Sequence, residues 1–544
     1  MRYSDKLSEH YDSLLEGRYD CIDRITLNAY FPMLTMPGGV RCWYRELTGS
    51  DKGLDTHKLI SFAGTFSKRV QNYCKSNNIP FNLYKSGERK HEDAEALIPL
   101  DKSFVGIFAI FCCRASSRLW EVTTFGQGKI DIHKKKEYSL VNHYYIHIMD
   151  VEWGHICIRI CAHPPFACLI MLNGHEWVER HKKTAELNIT KEGNCFTSYT
   201  DGKKLSKIAD NLKKQGQLDK VCQRWVYQCL WFALDYEEQA RSRFKYKFSV
   251  YQVEYSRNLL FKTGRKLDNV YQNLITLTRE RLDISRLKTI FGLKRGPYKC
   301  TNPSAPEVRI QTPEYNLTIF KIHFGKLTVK LYDKGERTLR AEVVVHNTKA
   351  LGCKRGVEFF EEIITKLQEM IKSFLDNMEY AHAALIDDGV VDKLAAPSVK
   401  GKNRQAGIDF CNKRNIAVMK VIMALSIKPG GFSVADIVAQ MKNLHSKKYS
   451  TSNARYDLKK MKSKKLIEKI KGKRNNKATP SGLKTIASVI CLWTDKLPSF
   501  LSLVNSIDEI AQQQKELTEM EKCMFNAKNE FEHLINLYGI KRAA

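Results

Sequence analysis

Residues 433–483 read SVADIVAQMKNLHSKKYSTSNARYDLKKMKSKKLIEKIKGKRNNKATPSGL, and this stretch decides the architecture of the C-terminal part of the chain. Ser433 stands where a helix N-cap belongs, ahead of Val434–Asn443, in which Ile437, Val438 and Met441 face in. Upstream, Ile416–Leu425 places Val418, Ile422 and Leu425 on one side, and Pro429-Gly430-Gly431-Phe432 breaks it. Downstream, a third helix runs from near Ser452 to about Lys464, with Ala454, Leu458 and Met461 as its inward stripe. Its other positions include Asn453, Arg455, Tyr456, Lys459, Lys460 and Lys462. Leu466–Lys469 reads as a short strand, the segment from Lys471 through Lys473 and Arg474 to Lys477 as a tight basic turn, and Thr479–Leu483 as the opening of another helix. Helix, helix, basic helix, strand, basic turn and strand is the order of a winged helix-turn-helix.

That order carries chemistry. A recognition helix enters a major groove by presenting polar side chains opposite its core stripe, while wing cations meet phosphates. The expected nucleic-acid contacts are therefore Asn453, Arg455, Tyr456, Lys459, Lys460, Lys462, Lys471, Lys473, Arg474 and Lys477. The segment Asn415–Leu483 also resembles the DNA-binding domain of MarR-type regulators, including the Thr-Pro-Ser-Gly-Leu restart after the wing.

The charge agrees. The chain has 89 Lys and Arg against 59 Asp and Glu, a net +30. Residues 400–477 alone hold 21 basic and 4 acidic residues, or +17, so more than half the surplus lies in one short region. Such a cluster suits a polyphosphate partner, DNA first and RNA second. An anionic membrane surface would ask for a basic amphipathic helix with large apolar anchors, and none is found. The longest apolar run, Phe104–Cys113, is half the ~20 residues that a spanning helix needs, so no membrane partner is expected. The N-terminus reads as polar, without a secretory signal. Sixteen cysteines lack any CxxC pair and read as reduced thiols in a cytoplasmic protein.

At ~150 residues per domain, 544 residues suggest three to four domains of mixed α/β (α+β) class. The expected organisation is an N-terminal α/β region over 1–130 and a histidine-rich sheet over 131–200. A helical core over 201–297 and a β-hairpin plus helix over 298–395 follow. A winged-helix domain over 396–490 and a helical tail over 491–544, which could dimerise the chain, complete it. Within this plan Asp219–Arg241 and Ser249–Arg281 read as helices, residues 387–414 as a linker, and Asn173-Gly174 as a hairpin turn.

A second informative stretch is Lys330–Glu342, KLYDKGERTLRAE. Strand parity puts Lys330 and Tyr332 on one face with Arg340, Glu342 and His346, around the turn Asp333-Lys334-Gly335. The motif resembles a strand-turn-strand of plasmid and phage replication initiation factors. The whole chain also resembles a family of long prokaryotic proteins from mobile elements that carry this hairpin and a terminal winged helix. The resemblance implies that Asp333, Lys334, Glu336, Arg340 and Glu342 hold a metal or a phosphodiester.

Three further sets bear on catalysis. His143, His147, His155 and His163 alternate on neighbouring strands and could hold a divalent ion, Mg²⁺ or Mn²⁺, that polarises a phosphate. They lack the His-hydrophobe-His strand of rolling-circle nickases. Tyr251 and Tyr255 stand one helical turn apart, as in two-tyrosine initiators, and either phenolate could attack phosphorus. Glu88-Arg-Lys90, with Asp20 or Asp23 upstream, has the spacing of a nuclease ExK element. There is no GxxxxGK[ST], so no nucleotide cofactor is expected. Two readings stay open: a binding protein without chemistry, and a metal-dependent nuclease or nicking-joining enzyme.

Overall fold

The structure is a computed structural model. It describes residues 4–270, 306–311, 319–382 and 390–490, short interruptions aside, and a few isolated positions elsewhere. The expected helical tail over 491–544 and the 271–281 end of the second expected core helix lie largely outside the described residues. The chain divides into two compact units. The first takes in residues 11–268 and 309–371, and the second residues 4–10 and 372–544.

The first unit is built on one large mixed sheet. Its strands include β1 (Leu15–Tyr30), β2 (Phe81–Tyr84), β3 (Gly106–Ser117), β4 (Ser139–Asp150), β5 (Gly154–Cys161), β6 (Cys168–Asn173), β7 (Lys247–Phe261), β8 (Ile319–Phe324), β9 (Leu327–Lys334) and β10 (Thr338–Val345). The order from β8 inward is β8-β9-β10-β7-β1-β6-β5-β4-β3-β2. β2 joins its neighbour in parallel, and the pairings from β3 to β9 are antiparallel. The parallel pair is reached through the helix α1 (Thr56–Ser76), which Asp55 caps by accepting from the Lys58 amide. Leu59, Phe66, Val70 and Cys74 form the buried stripe of α1, and Phe66 stacks on Tyr144 of β4. The middle of the sheet is buried, with Ile25, Leu27, Val250, Val253, Ile158 and Ile170 at 0% exposure.

Three expectations are corrected here. Ser249–Arg281 is not helical from its start, because Lys247–Phe261 is a central strand. From Val253 to Phe261 this strand is buried at nearly every residue, so its sequence lacks the alternation that marks a half-exposed strand. Asn173 does not make a hairpin turn. It caps the short helix α2 (Gly174–Arg180), its side chain accepting from the His175 amide. Asp219–Arg241 is interrupted and forms helices at Gln217–Leu230 and Tyr236–Arg241.

The second unit includes the helices α3 (Lys413–Ser426), α4 (Val434–Leu444), α5 (Thr451–Ser463) and α6 (Pro480–Ile490). Between α5 and α6 runs an antiparallel hairpin, β11 (Ile467–Lys469) and β12 (Asn476–Ala478). Phe432 bridges to Asn476 and adds a third short rung. Gly431 makes this possible: its φ is +75°, and a Cβ there would meet the Asn476 carbonyl oxygen at 2.4 Å. Ser433 caps α4 in a reciprocal capping box with Asp436. Ala454, Asp457, Leu458 and Met461 form the buried side of α5. The expected linker over 387–414 contains short elements at Val390–Ala395, Ser398–Lys400 and Asn403–Gln405. No helix among the described residues is long and apolar enough to cross a membrane.

Candidate nucleic-acid interface and a buried polar centre

The terminal unit sorts its cations by face. On α5, Arg455, Tyr456, Lys459 and Lys462 are exposed, and Asn453 is half-buried. The hairpin turn exposes Lys471, Lys473, Arg474 and Lys477. One expected contact differs. Lys460 is buried, because it falls beside Asp457 and Met461 on the inward side, and burial lowers its ammonium pKa. Arg414 of α3 clamps Asp457 of α5 through hydrogen bonds of 2.9 and 3.0 Å, and the Tyr449 hydroxyl donates to the same carboxylate at 2.5 Å. The polar face therefore stands on a fixed helix.

The first unit holds a different assembly. Register aligns two polar rungs across four strands. Cys21, Ser256, Glu342 and Lys330 form one, and Tyr19, Asn258, Arg340 and Tyr332 the other. Within them, Lys330 Nζ and the Tyr332 hydroxyl donate to Glu342 at 2.9 and 2.6 Å. Arg340 Nε donates to the Asn258 side-chain oxygen at 2.6 Å, and Nη2 to the Asn194 carbonyl at 2.5 Å. The hairpin parity expected from sequence thus puts Lys330, Tyr332, Arg340 and Glu342 together. Arg340 and Glu342 are buried, so these groups spend their charges on one another. Lys334 and Asp333 are half-buried near the turn, and Glu336 is exposed on it. Burial raises the Asp333 pKa.

Beside the first rung lie Cys21, Asp23 and His175, whose ligand atoms all come within 4.8 Å of one another. They are 1%, 3% and 0% exposed. Ser256 Oγ donates to Asp23 Oδ1 at 2.9 Å, and Arg340 Nη1 lies 4.0 Å from the same oxygen. Burial pushes Asp23 up to about 7 and His175 well down, so the imidazole is neutral. Sequence reasoning named Asp23 as an ExK partner and His175 only as a fifth histidine of the same parity as His143, His147, His155 and His163, and it did not single out Cys21. Cys21-x-Asp23 on one strand was a readable signal, but His175 lies too far along the chain for spacing to reveal it.

The four expected histidine ligands separate. His147 Nδ1 pairs with His155 Nε2 at 2.9 Å, against Phe108 and Phe111. His143 instead contacts Ser117 Oγ and the Val141 carbonyl, both at 3.2 Å. Among the described residues no converging group of three metal-ligating side chains includes His143, His147, His155 or His163. Burial lowers all four, His143 to about 4 and His147 to about 3.

The tyrosines part as well, since both lie on β7 rather than on a helix. Tyr251 is the extra residue of a β-bulge against Thr26 and Leu27 and is 38% exposed. Tyr255 is buried on the opposite sheet face from the polar rungs. Its hydroxyl donates to Asp20 at 3.1 Å and accepts from the Gln368 amide at 3.0 Å, while Arg257 grips Asp20 with two bonds of 2.7 Å. Asp20 and Asp23 are thus engaged elsewhere than with Glu88, whose carboxylate accepts from the Lys85 amide.

No family model matches the chain, and no curated protein or solved structure is significantly similar to it.

Proposed function

We propose that this chain is a nucleic-acid-binding protein of a mobile element, acting in the cytoplasm, with a C-terminal winged helix that reads DNA or, as the lesser preference, structured RNA. One observation carries the reading: α5 keeps its apolar stripe and Asp457 inside and turns Arg455, Tyr456, Lys459 and Lys462 outward. The β11–β12 turn then adds a cluster of exposed cations. A helix with a polar outer face followed by a basic hairpin fits a groove and its flanking phosphates. The mobile-element origin rests on the resemblance of the Lys330–Glu342 hairpin. The test is anisotropy titration of the full chain with duplex DNA, single-stranded DNA and hairpin RNA over a salt series. The reading expects duplex DNA to bind best, with affinity falling steeply as salt rises. No binding at low salt overturns it.

A second reading, a nicking-joining enzyme using Mg²⁺ or Mn²⁺, is supported by the charged rungs around the hairpin. Of the two candidate nucleophiles, Tyr251 has the exposure that a phosphodiester would need, and the Tyr255 hydroxyl is tied up in hydrogen bonds. Incubation with supercoiled plasmid and either metal, with EDTA as control, tests it. Absence of metal-dependent nicking removes the enzymatic reading and leaves the binding one standing.

A further inference from the structure

The Cys21–Asp23–His175 group is unusual because three of its polar atoms are stranded, although the Cys21 thiol donates to the Ile22 carbonyl at 3.4 Å and Asp23 Oδ1 accepts from Ser256. Asp23 Oδ2 and both ring nitrogens of His175 are buried without a hydrogen-bond partner among the described residues. His175 Nδ1 does lie 3.1 Å from Asp23 Oδ1, but the geometry is not that of a hydrogen bond. A buried polar atom left unpaired costs roughly 1–3 kcal/mol, so several at one spot call for a partner. All three donors converge within 4.8 Å. A tetrahedral ion with arms of about 2.0–2.3 Å spaces its donors by about 3.3–3.8 Å, so small side-chain movements close the site.

We propose that Cys21, Asp23 and His175 form a structural site for one divalent transition-metal ion of the zinc class, held inside the central sheet. The donor set selects the metal. Thiolate and imidazole favour borderline and soft ions over Mg²⁺ or Mn²⁺. On binding, the Cys21 thiol loses its proton to solvent, and thiolate plus carboxylate balance the two positive charges of the ion. Among the described residues Arg340 Nη1 has no hydrogen-bond partner, and it lies 4.0 Å from Asp23 Oδ1, so its charge faces that carboxylate while the ion is absent. Three protein donors leave one place of the tetrahedron for a water molecule. Near-complete burial makes the site a brace between β1 and α2 rather than a reaction centre. The proposal is independent of the nucleic-acid reading, since it concerns the first unit alone.

The test uses the full chain. Metal analysis after gel filtration is expected to find about one equivalent of zinc, and chelation to lower the Tm. Adding Co²⁺ to the chelated chain is expected to give a near-ultraviolet thiolate-to-cobalt charge-transfer band. Cys21→Ser loses the band, and Cys157→Ser, a half-buried thiol outside the group, keeps it. His175→Gln is expected to weaken Co²⁺ uptake at least tenfold, and far-UV circular dichroism checks that each variant is folded. Should Cys21→Ser not fold, the wild-type measurements and His175→Gln decide. A folded wild-type chain that takes up neither zinc nor Co²⁺ overturns the proposal and leaves a plain Asp23–His175 pair. A band that survives in folded Cys21→Ser overturns it too.

Discussion

Arg414 on the first helix of the terminal unit reaches Asp457 on the third with both arms of its guanidinium, at 2.9 and 3.0 Å. The Asp457 side chain is 3% exposed and the Arg414 side chain 32%, so the pair closes the unit from its rim inward. Arg414→Met would leave Asp457 buried with the Tyr449 hydroxyl as its remaining strong partner. A stability loss of roughly 3–5 kcal/mol is expected, the scale for breaking one side of a buried ion pair. Urea denaturation followed by tryptophan-free probes such as tyrosine fluorescence or circular dichroism checks it. A change within error of zero would show that the clamp contributes nothing.

Cations on α5 and on the β11–β12 turn should respond differently to reversal according to the face they occupy. Lys459→Glu, Lys473→Glu and Arg474→Glu should each weaken duplex binding and reduce the salt slope by about one. Lys460→Glu puts a second carboxylate beside buried Asp457 and should instead lower the Tm. Equal effects of Lys459→Glu and Lys460→Glu on binding, with both proteins fully folded, would contradict the assignment of faces.

Tyr255→Phe removes a hydroxyl held by Asp20 and Gln368. Loss of those hydrogen bonds should cost about 1–2 kcal/mol of stability. It should leave any plasmid nicking at the wild-type rate, whereas Tyr251→Phe should abolish a covalent protein–DNA product. Loss of that product in Tyr255→Phe alone would reverse the roles.

Stability should fall on mild acidification through the histidine pair on β4 and β5. His147 is held neutral by burial, at about 3 against an ordinary 6.5. The unfolded chain therefore takes up a proton that the folded chain refuses between those values, and stability drops as pH falls below about 6.5. Denaturant midpoints at pH 7 and pH 5 measure the drop, and His147→Phe, which suits the ring pocket of Phe108 and Phe111, should flatten it.

Local signals made the terminal unit legible. Ser433, the Gly430-Gly431 break and the stripe of Ala454, Leu458 and Met461 each act within a few residues, and the helices follow them closely. The hairpin was legible for the same reason, since parity across one turn fixes which side chains meet. β1 and β7 were not. β7 is buried on both faces and carries a bulge at Tyr251, so neither alternation nor simple parity survives in its sequence. The Cys21–Asp23–His175 group was hidden by distance along the chain. Lys460 was misread because a basic residue on a basic helix gives no sign of which way it points until the neighbouring Asp457 is seen to be inside.

The position of β1 between β6 and β7 has a consequence for biosynthesis. This long strand leaves the ribosome well before either of its flanking partners. At roughly 5–20 residues per second, the first of them follows by on the order of ten seconds. Over that interval a partly apolar ribbon with open edges waits in the nascent chain, exposed to chaperones and to stray pairing with other strands.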